Sequence, residues 1–188
     1  MGSGQSENKG KKQLKSGRGV SPSGPILIGL GANLPSPRHG PPVATLEAAL
    51  VALERHGIRI LSHSRWWKSA PVPASEQPWY VNGAAKVESS LAPEALLACL
   101  LEVEAEFGRV RSAANAPRVL DLDLLAYGDQ IRLGPRPPLL PHPRLADRAF
   151  VLYPLADIEL GWRHPGSGRD LAEMIAALSP GQIVRPFP

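Results

Sequence analysis

Two aspartates separated by one residue carry the clearest chemical signal in this chain. Asp121 and Asp123 lie in the run Leu120–Leu125, where leucines and acids alternate. The alternation predicts a β-strand with leucines on its buried face and both aspartates on the other face, about 7 Å apart. Two carboxylates this close repel, so we expect a cation between them; Mg²⁺ binds such pairs and keeps positions open for phosphates. A surface ion pair with a neighbouring arginine is the alternative.

Arginine is concentrated around this strand. Between positions 109 and 148 the chain has seven Arg, four Asp and no Lys. The arginines are Arg109, Arg111, Arg118, Arg132, Arg136, Arg144 and Arg148. Guanidinium groups bind phosphate through paired hydrogen bonds and stay charged at any working pH. Two acids that can bind a metal, surrounded by many arginines, suit phosphoryl transfer. That chemistry depends mainly on positioning and charge neutralisation.

The surrounding patterns predict an α+β fold. The expected elements before the aspartate strand are a strand at Ile26–Leu30, a helix at Val43–His56, strands at Ile58–Trp67 and Tyr80–Ser89, and a helix at Pro93–Phe107. Together they give a ferredoxin-like βαββαβ core, an antiparallel sheet with helices packed on its face. Residues 129–188 are predicted to be a C-terminal extension with a Pro-rich segment and a short helix near Leu171–Leu178.

The first 24 residues differ in composition from the rest. They hold five basic residues and one acid, which accounts for the whole formal net charge of +4. We therefore expect residues 1–24 to be a disordered basic tail and residues 25–188 to be one domain without net charge. A neutral domain argues against nucleic-acid binding, and the absence of an apolar run of about 18 residues argues against a membrane span. The single Cys99 suits a reducing cytoplasm, and we expect a monomer there.

Five segments, taken together and in this order, resemble the 6-hydroxymethyl-7,8-dihydropterin pyrophosphokinase family of folate synthesis. They are Gly31–Leu34, Gln77–Asn82, Phe107–Arg111, Ala116–Asp123 and Pro141–Leu152. The resemblance implies Mg²⁺-dependent transfer of a diphosphate group from ATP to the hydroxyl of the hydroxymethylpterin, with release of AMP. One departure is Asn115–Ala116 before Pro117, where the family often carries Trp-Gly.

The resemblance also implies roles for individual residues. Asp121 and Asp123 would hold two Mg²⁺ ions, and Arg109 and Arg118 would stabilise the transition state from a mobile loop. The residues expected to bind ATP are Glu104, Arg109, Arg111, Arg118, His142 and Arg148. The residues expected to bind the pterin are Ser69, Val72, Tyr80, Asn82 and Phe150, with the ring stacked between the two aromatics.

Other interpretations stay open at this point. A different metal-dependent nucleotidyltransferase would use the same acids and arginines but release pyrophosphate. A ferredoxin-like RNA-binding module would use aromatics on the sheet face, although aromatic residues make up only 5% of this chain. Individually, Glu104 could be a solvated helix acid, His142 a turn-capping residue, and Tyr80 and Phe150 ordinary core aromatics.

Overall fold

The computed structural model describes Met1, residues 22–109 and residues 116–188. Its elements are β1 (Ile26–Ala32), α1 (Pro42–Arg55), β2 (Arg59–His63), β3 (Trp67–Ser69), β4 (Tyr80–Glu88), α2 (Pro93–Glu106), β5 (Asp121–Tyr127), α3 (Ala149–Ile158), α4 (Leu171–Ala176) and β6 (Val184–Pro186). Most of the predicted basic tail, together with Arg111, lies outside the described residues.

The strands form one antiparallel sheet in the order β5-β1-β4-β3-β6, and β2 also pairs with β4. In this register Gly31 of β1 lies opposite Asn82 of β4 on one side and opposite Asp121 of β5 on the other. Gly29 lies opposite Asp123 in the same way. Because residues opposite each other in an antiparallel sheet share a face, Asn82 and both aspartates project on the same side.

Helices cover both faces of this sheet. The core on the α1 and α2 side includes Ile28, Leu30, Leu53, Leu100, Leu120, Leu122 and Leu124. The core on the α3 and α4 side includes Leu27, Leu125, Leu152, Leu155 and Met174. The predicted fold class, an antiparallel α+β sheet of the ferredoxin-like type with helices on its face and a C-terminal extension, is confirmed. The extension supplies α3 and α4, which lie on the face that carries the aspartates.

Three details differ from the predicted elements. The strand expected at Ile58–Trp67 is divided into β2 and β3, and Trp66 lies in the break, directly over Gly83. A Cβ at Gly83 would meet that ring at 2.5 Å, so the missing side chain makes room for it. Helix α3 was not predicted, because Pro154 interrupts its apolar pattern. The edge strand β6 was also missed, since three residues are too short for a periodic signal.

The short helix predicted near Leu171–Leu178 is present as α4. A capping box starts it: Asp170 accepts from the backbone N–H of Glu173 at 2.9 Å, and Glu173 accepts from that of Asp170 at 2.8 Å. None of the helices in the described ranges combines the length and apolarity that crossing a membrane requires.

Candidate active site

A pocket opens between the loop after β3 and the first turn of α3, at the end of the sheet where β4 and β5 begin. Its walls include all five residues predicted to bind the pterin, which are Ser69, Val72, Tyr80, Asn82 and Phe150. Arg118, Asp121 and Arg148 line the same pocket. Segments as far apart in the chain as β3 and α3 therefore bring the predicted ring-binding and phosphate-binding residues to one place.

Asp121 is paired with two arginines. Arg109 Nη1 lies 2.5 Å from Asp121 Oδ1, and Arg118 Nη1 lies 3.0 Å from Asp121 Oδ2. All three side chains keep 20–25% of their surface exposed, so the cluster faces solvent only in part. The ion pair considered as the alternative to a metal is thus present at Asp121, and the same geometry puts two guanidinium groups beside a candidate metal ligand.

Asp123 lacks such close partners in the described residues. Its nearest cation is Arg148, whose Nη1 lies 4.0 Å from Asp123 Oδ2. Burial raises the pKa of Asp123 above its ordinary value, and the neighbouring charge of Asp121 raises it further. Asp121 and Asp123 form a carboxylate pair on one face of the strand, and Asp123 is destabilised in its ionised form. Such a pair fits a hard divalent cation, because the cation would stabilise the ionised form of both carboxylates.

Glu104 lies on α2, underneath the aspartate strand. The residue is only 2% exposed, which excludes the alternative of a solvated helix acid. Its Oε1 accepts a hydrogen bond from the backbone N–H of Leu122 at 2.7 Å, and the Arg109 guanidinium donates to the same oxygen. Burial raises the pKa of Glu104 to about 7. Glu104 thus contacts the backbone of the strand that carries Asp121 and Asp123, and its predicted contact with ATP stays a prediction.

His142 and Arg148 approach the aspartates from the segment before α3. His142 Nδ1 accepts from the backbone N–H of Arg144 at 3.2 Å, the turn-capping contact considered as the alternative for this residue. Burial lowers the pKa of His142, although Asp123 opposes the shift. The neutral ring then carries its proton on Nε2, which leaves one donor for a ligand. Burial also lowers the pKa of Arg148 from its very high ordinary value.

The pterin side of the pocket combines two rings with a short polar network. Asn82 Nδ2 donates to Ser69 Oγ at 2.9 Å, and both residues are at most 5% exposed. The Tyr80 hydroxyl donates to Gln77 Oε1 at 3.3 Å. Phe150 lies in the first turn of α3 with the Arg148 guanidinium 5.3 Å from its ring centre. Tyr80 and Phe150 are both partly exposed and line the pocket, although Phe150 also packs against the core on the α3 and α4 side.

Asn33 is a site residue to which the sequence analysis assigned no role. It is 2% exposed, and its Oδ1 accepts from the backbone N–H of Arg118 at 2.8 Å. Its own backbone N–H donates to Arg118 O at 3.0 Å, and its side-chain amide donates to Pro78 O at 3.2 Å. Asn33 thereby joins the end of β1 to the arginine segment and to the loop before Tyr80. The available signal was an asparagine directly after a buried strand, a position where side chains commonly bind backbone groups.

An antiparallel α+β sheet presents paired carboxylates and arginines beside a pocket that two aromatic rings line, an arrangement that suits a phosphate-transferring enzyme. The family model described as 7,8-dihydro-6-hydroxymethylpterin-pyrophosphokinase (HPPK) matches residues 27–160 of the chain. The chain therefore belongs to this family of ATP-dependent pyrophosphokinases of folate biosynthesis, and the resemblance found in the sequence is confirmed.

Individual relatives agree with this result. A 2-amino-4-hydroxy-6-hydroxymethyldihydropteridine pyrophosphokinase from Pseudomonas aeruginosa is 42% identical over 153 residues, which cover 81% of this chain and 90% of that protein. A protein of the same name from Synechocystis sp. is 40% identical over 154 residues, covering 79% of this chain and 73% of the relative.

A solved structure of Plasmodium falciparum HPPK-DHPS aligns with a TM-score of 0.63 at 11% identity, over 83% of this chain and 44% of that one. At this identity the likeness supports the fold alone, and the chain spans less than half of that structure.

Proposed function

We propose that residues 25–188 catalyse transfer of the β,γ-diphosphate of ATP to the hydroxymethyl oxygen of 6-hydroxymethyl-7,8-dihydropterin, with Mg²⁺ required and AMP released. The single observation that carries this proposal is the shared pocket. Its lining joins Tyr80, Asn82 and Phe150 to Arg118 and Asp121. A flat heterocycle and a polyphosphate bound there would meet directly, as a one-step transfer between them requires.

The pterin would bind by its faces and by its polar edge. Tyr80 and Phe150 supply aromatic surfaces for the ring, and the Asn82 amide supplies its second N–H donor and its carbonyl acceptor next to them. Asn82 is held in place by Ser69, 2.9 Å away, so its free amide positions are oriented before the substrate arrives. Val72 is 53% exposed at the rim, where its backbone groups can reach the ligand edge.

Asp121 and Asp123 would hold Mg²⁺, and we propose two ions. No cluster of three or more His, Cys, Asp or Glu suited to a metal occurs in the part of the chain that the structure describes, so water and phosphate oxygens would complete the coordination. When bound, the metal would neutralise charge on the phosphate oxygens of ATP.

The arginines would neutralise the remaining charge. Arg109 and Arg118 both donate to Asp121, and guanidinium groups in that position donate equally well to phosphate oxygens. Arg148 also lines the pocket, and its Nη1 lies 4.0 Å from Asp123 Oδ2. His142 offers its Nε2 proton to the same ligand. Arg111 is proposed for ATP binding on the resemblance alone, since it lies outside the described residues.

The transfer itself needs no protein nucleophile. The hydroxymethyl oxygen of the pterin forms a bond to the β-phosphorus, and the bond from that phosphorus to the oxygen shared with the α-phosphorus breaks. The leaving group is AMP, and the hydroxyl proton passes to solvent. The protein contributes alignment of the two substrates and stabilisation of developing charge, which account for most catalysis in phosphoryl transfer.

We further propose that the protein works in the cytoplasm as a monomer on these two small molecules, without nucleic acid. The balanced charge of residues 25–188 supports the last point, because nucleic-acid binding relies on a basic surface.

The test is to incubate the protein with ATP, Mg²⁺ and hydroxymethyldihydropterin and to separate the nucleotide products by chromatography. The proposal expects AMP that forms only when the pterin and Mg²⁺ are both present. ADP would indicate transfer of a single phosphoryl group, and free pyrophosphate would favour the nucleotidyltransferase alternative.

A further inference from the structure

The side-chain amide of Gln182 is bonded to the backbone on both sides of Arg148. Gln182 Oε1 accepts from the backbone N–H of Ala149 at 2.9 Å, and Gln182 Nε2 donates to the carbonyl of Asp147 at 2.9 Å. Ala149 is the first residue of α3, and the residue before the helix makes no side-chain capping bond. An N–H in the first turn of a helix has no partner within the helix, so Gln182 supplies the missing acceptor from a remote segment.

The residues that follow Gln182 bind the opposite wall of the pocket. The N–H of Ala70 donates to the carbonyl of Ile183 at 3.1 Å, and Ser69 pairs with Val184 where β6 runs along β3. Ser69 in turn accepts from Asn82, 2.9 Å away. Consecutive residues of the C-terminal segment therefore contact both the wall that carries Arg148 and Phe150 and the wall that carries Ser69.

We propose that Gln182 is a positioning residue, which sets the place of Arg148 and Phe150 relative to Ser69 and Asn82. The inference rests on the proposed function, because it presupposes that the pterin binds between these walls. Gln182 lies beyond residues 27–160, the part of the chain that matches the family model. Within the described residues, both hydrogen bonds of its amide go to backbone atoms, so it acts through the first turn of α3 and not on the substrate itself.

The two hydrogen bonds of Gln182, one on each side of Arg148, fix the peptide planes before and after Arg148. Without them, the first turn of α3 is held by its own helix bonds and by packing, and Arg148 and Phe150 gain freedom to shift against the opposite wall. A displacement of about 1 Å at a substrate-positioning group can reduce turnover by about 100-fold. For the loss of two backbone contacts we expect a smaller effect, about a tenfold weaker affinity for the pterin.

The experiment measures the dissociation constant for hydroxymethyldihydropterin by calorimetry and the turnover rate, under conditions where urea unfolding curves show each protein to be folded. Gln182→Ala is expected to weaken pterin binding about tenfold. Gln182→Glu keeps the shape and the acceptor for Ala149 but replaces the donor to Asp147 by a carboxylate oxygen that repels the Asp147 carbonyl, so pterin binding is again expected to weaken about tenfold. This second variant tests the proposal even if the alanine variant does not fold.

Two control variants separate positioning from general stability. Gln130→Ala removes an amide that contacts Arg132 in a loop remote from the pocket, and pterin binding is expected to stay unchanged. Asp170→Ala breaks the capping box of α4 in the same C-terminal region, so it lowers stability without touching Arg148. If Asp170→Ala weakens pterin binding as much as Gln182→Ala does, the role of Gln182 is only structural and the proposal is overturned.

A double variant tests whether Gln182 acts through Phe150. The proposal expects Gln182→Ala/Phe150→Ala to bind the pterin no more weakly than Phe150→Ala alone, because Phe150, the pterin-binding side chain that Gln182 positions, is already gone. Fully additive losses, or wild-type binding by Gln182→Ala, overturn the inference while leaving the proposed function in place. Wild-type binding by Phe150→Ala itself would instead contradict the proposed pterin site.

Discussion

The carboxylate of Glu104 accepts a hydrogen bond from the backbone N–H of Leu122, 2.7 Å away, and Leu122 is the residue between Asp121 and Asp123. Strand β5 is an edge strand among the described residues, so this outward N–H has no neighbouring strand to pair with. The Arg109 guanidinium donates to the same Glu104 oxygen and also pairs with Asp121. One buried side chain on α2 thus holds both the strand that carries the acids and an arginine beside them.

Glu104 is expected to make stability depend on pH. Burial raises its pKa to about 7, from an ordinary value of 4.5. Because the folded protein holds this proton more tightly than the unfolded chain, the stabilisation is complete below pH 4.5 and is lost as the pH rises through 7. Over this interval the free energy of unfolding of the wild type should fall by up to about 3 kcal/mol more than that of Glu104→Gln, which has no carboxyl group to titrate at this position. Urea unfolding of both proteins between about pH 5 and pH 8 checks this; parallel curves would contradict it.

Substitution of either aspartate should remove most turnover and leave the fold intact. Asp121→Asn and Asp123→Asn keep the side-chain shape but remove the charge that would hold Mg²⁺, so a loss of at least about 100-fold in kcat is expected. Asp129→Asn, an exposed acid in the turn after β5, is the matched control and should retain activity. Circular dichroism establishes folding in each case. Wild-type turnover in both site variants would refute the metal assignment.

Tyr80→Ala should affect the pterin more than ATP. Removing the ring takes away one stacking surface, and we expect about a tenfold weaker affinity for the pterin with little change for ATP. Tyr80→Phe keeps the ring and loses only the hydroxyl bond to Gln77, so it should bind nearly as the wild type does. Calorimetric titration with each ligand measures both effects, and equal losses for pterin and ATP would speak against stacking.

Asn33→Ala should reduce both stability and turnover. It leaves the backbone N–H of Arg118 and the carbonyl of Pro78 without their side-chain partner, at a cost of about 1–3 kcal/mol in free energy of unfolding. Because Arg118 is then less well placed, kcat is expected to fall about tenfold. Ser36→Ala is the control: this buried serine binds backbone N–H groups of Arg38 and His39 and should change stability alone. A similar drop in kcat for both variants would show that Asn33 has no special link to Arg118.

The alternation of apolar and polar residues in the sequence was sufficient to predict the core of the fold. Leu120, Leu122 and Leu124 are buried as their alternation predicts, and Asp121 and Asp123 share the other face. Periodicity worked here because the first residues of β5 pack against α2 on one side and face a partly open site on the other. It failed for α3, where Pro154 lies inside an apolar run, and for the break between β2 and β3, which depends on the fit of Trp66 over Gly83.

The supporting contacts of the site could not be predicted from pattern. Glu104 was selected as a ligand for ATP, yet its bond to Leu122 depends on how α2 packs against β5, and no local rule encodes that distance. Asn33 and Gln182 act through backbone atoms of remote segments, and such contacts appear only once the chain is folded. The five residues predicted to bind the pterin all line the pocket, whereas Asn33 and Gln182, which hold neighbouring segments, were assigned no such role from the sequence.

The most direct measurement of the central claim is the fate of each phosphorus atom of ATP. The protein would be given hydroxymethyldihydropterin, Mg²⁺ and ATP labelled with ³²P at the α, β or γ position in three separate reactions. Transfer of an intact diphosphate predicts that the β and γ labels both move to the pterin product, while the α label stays in AMP. An α label in the pterin product, or a γ label there without the β label, would contradict the account.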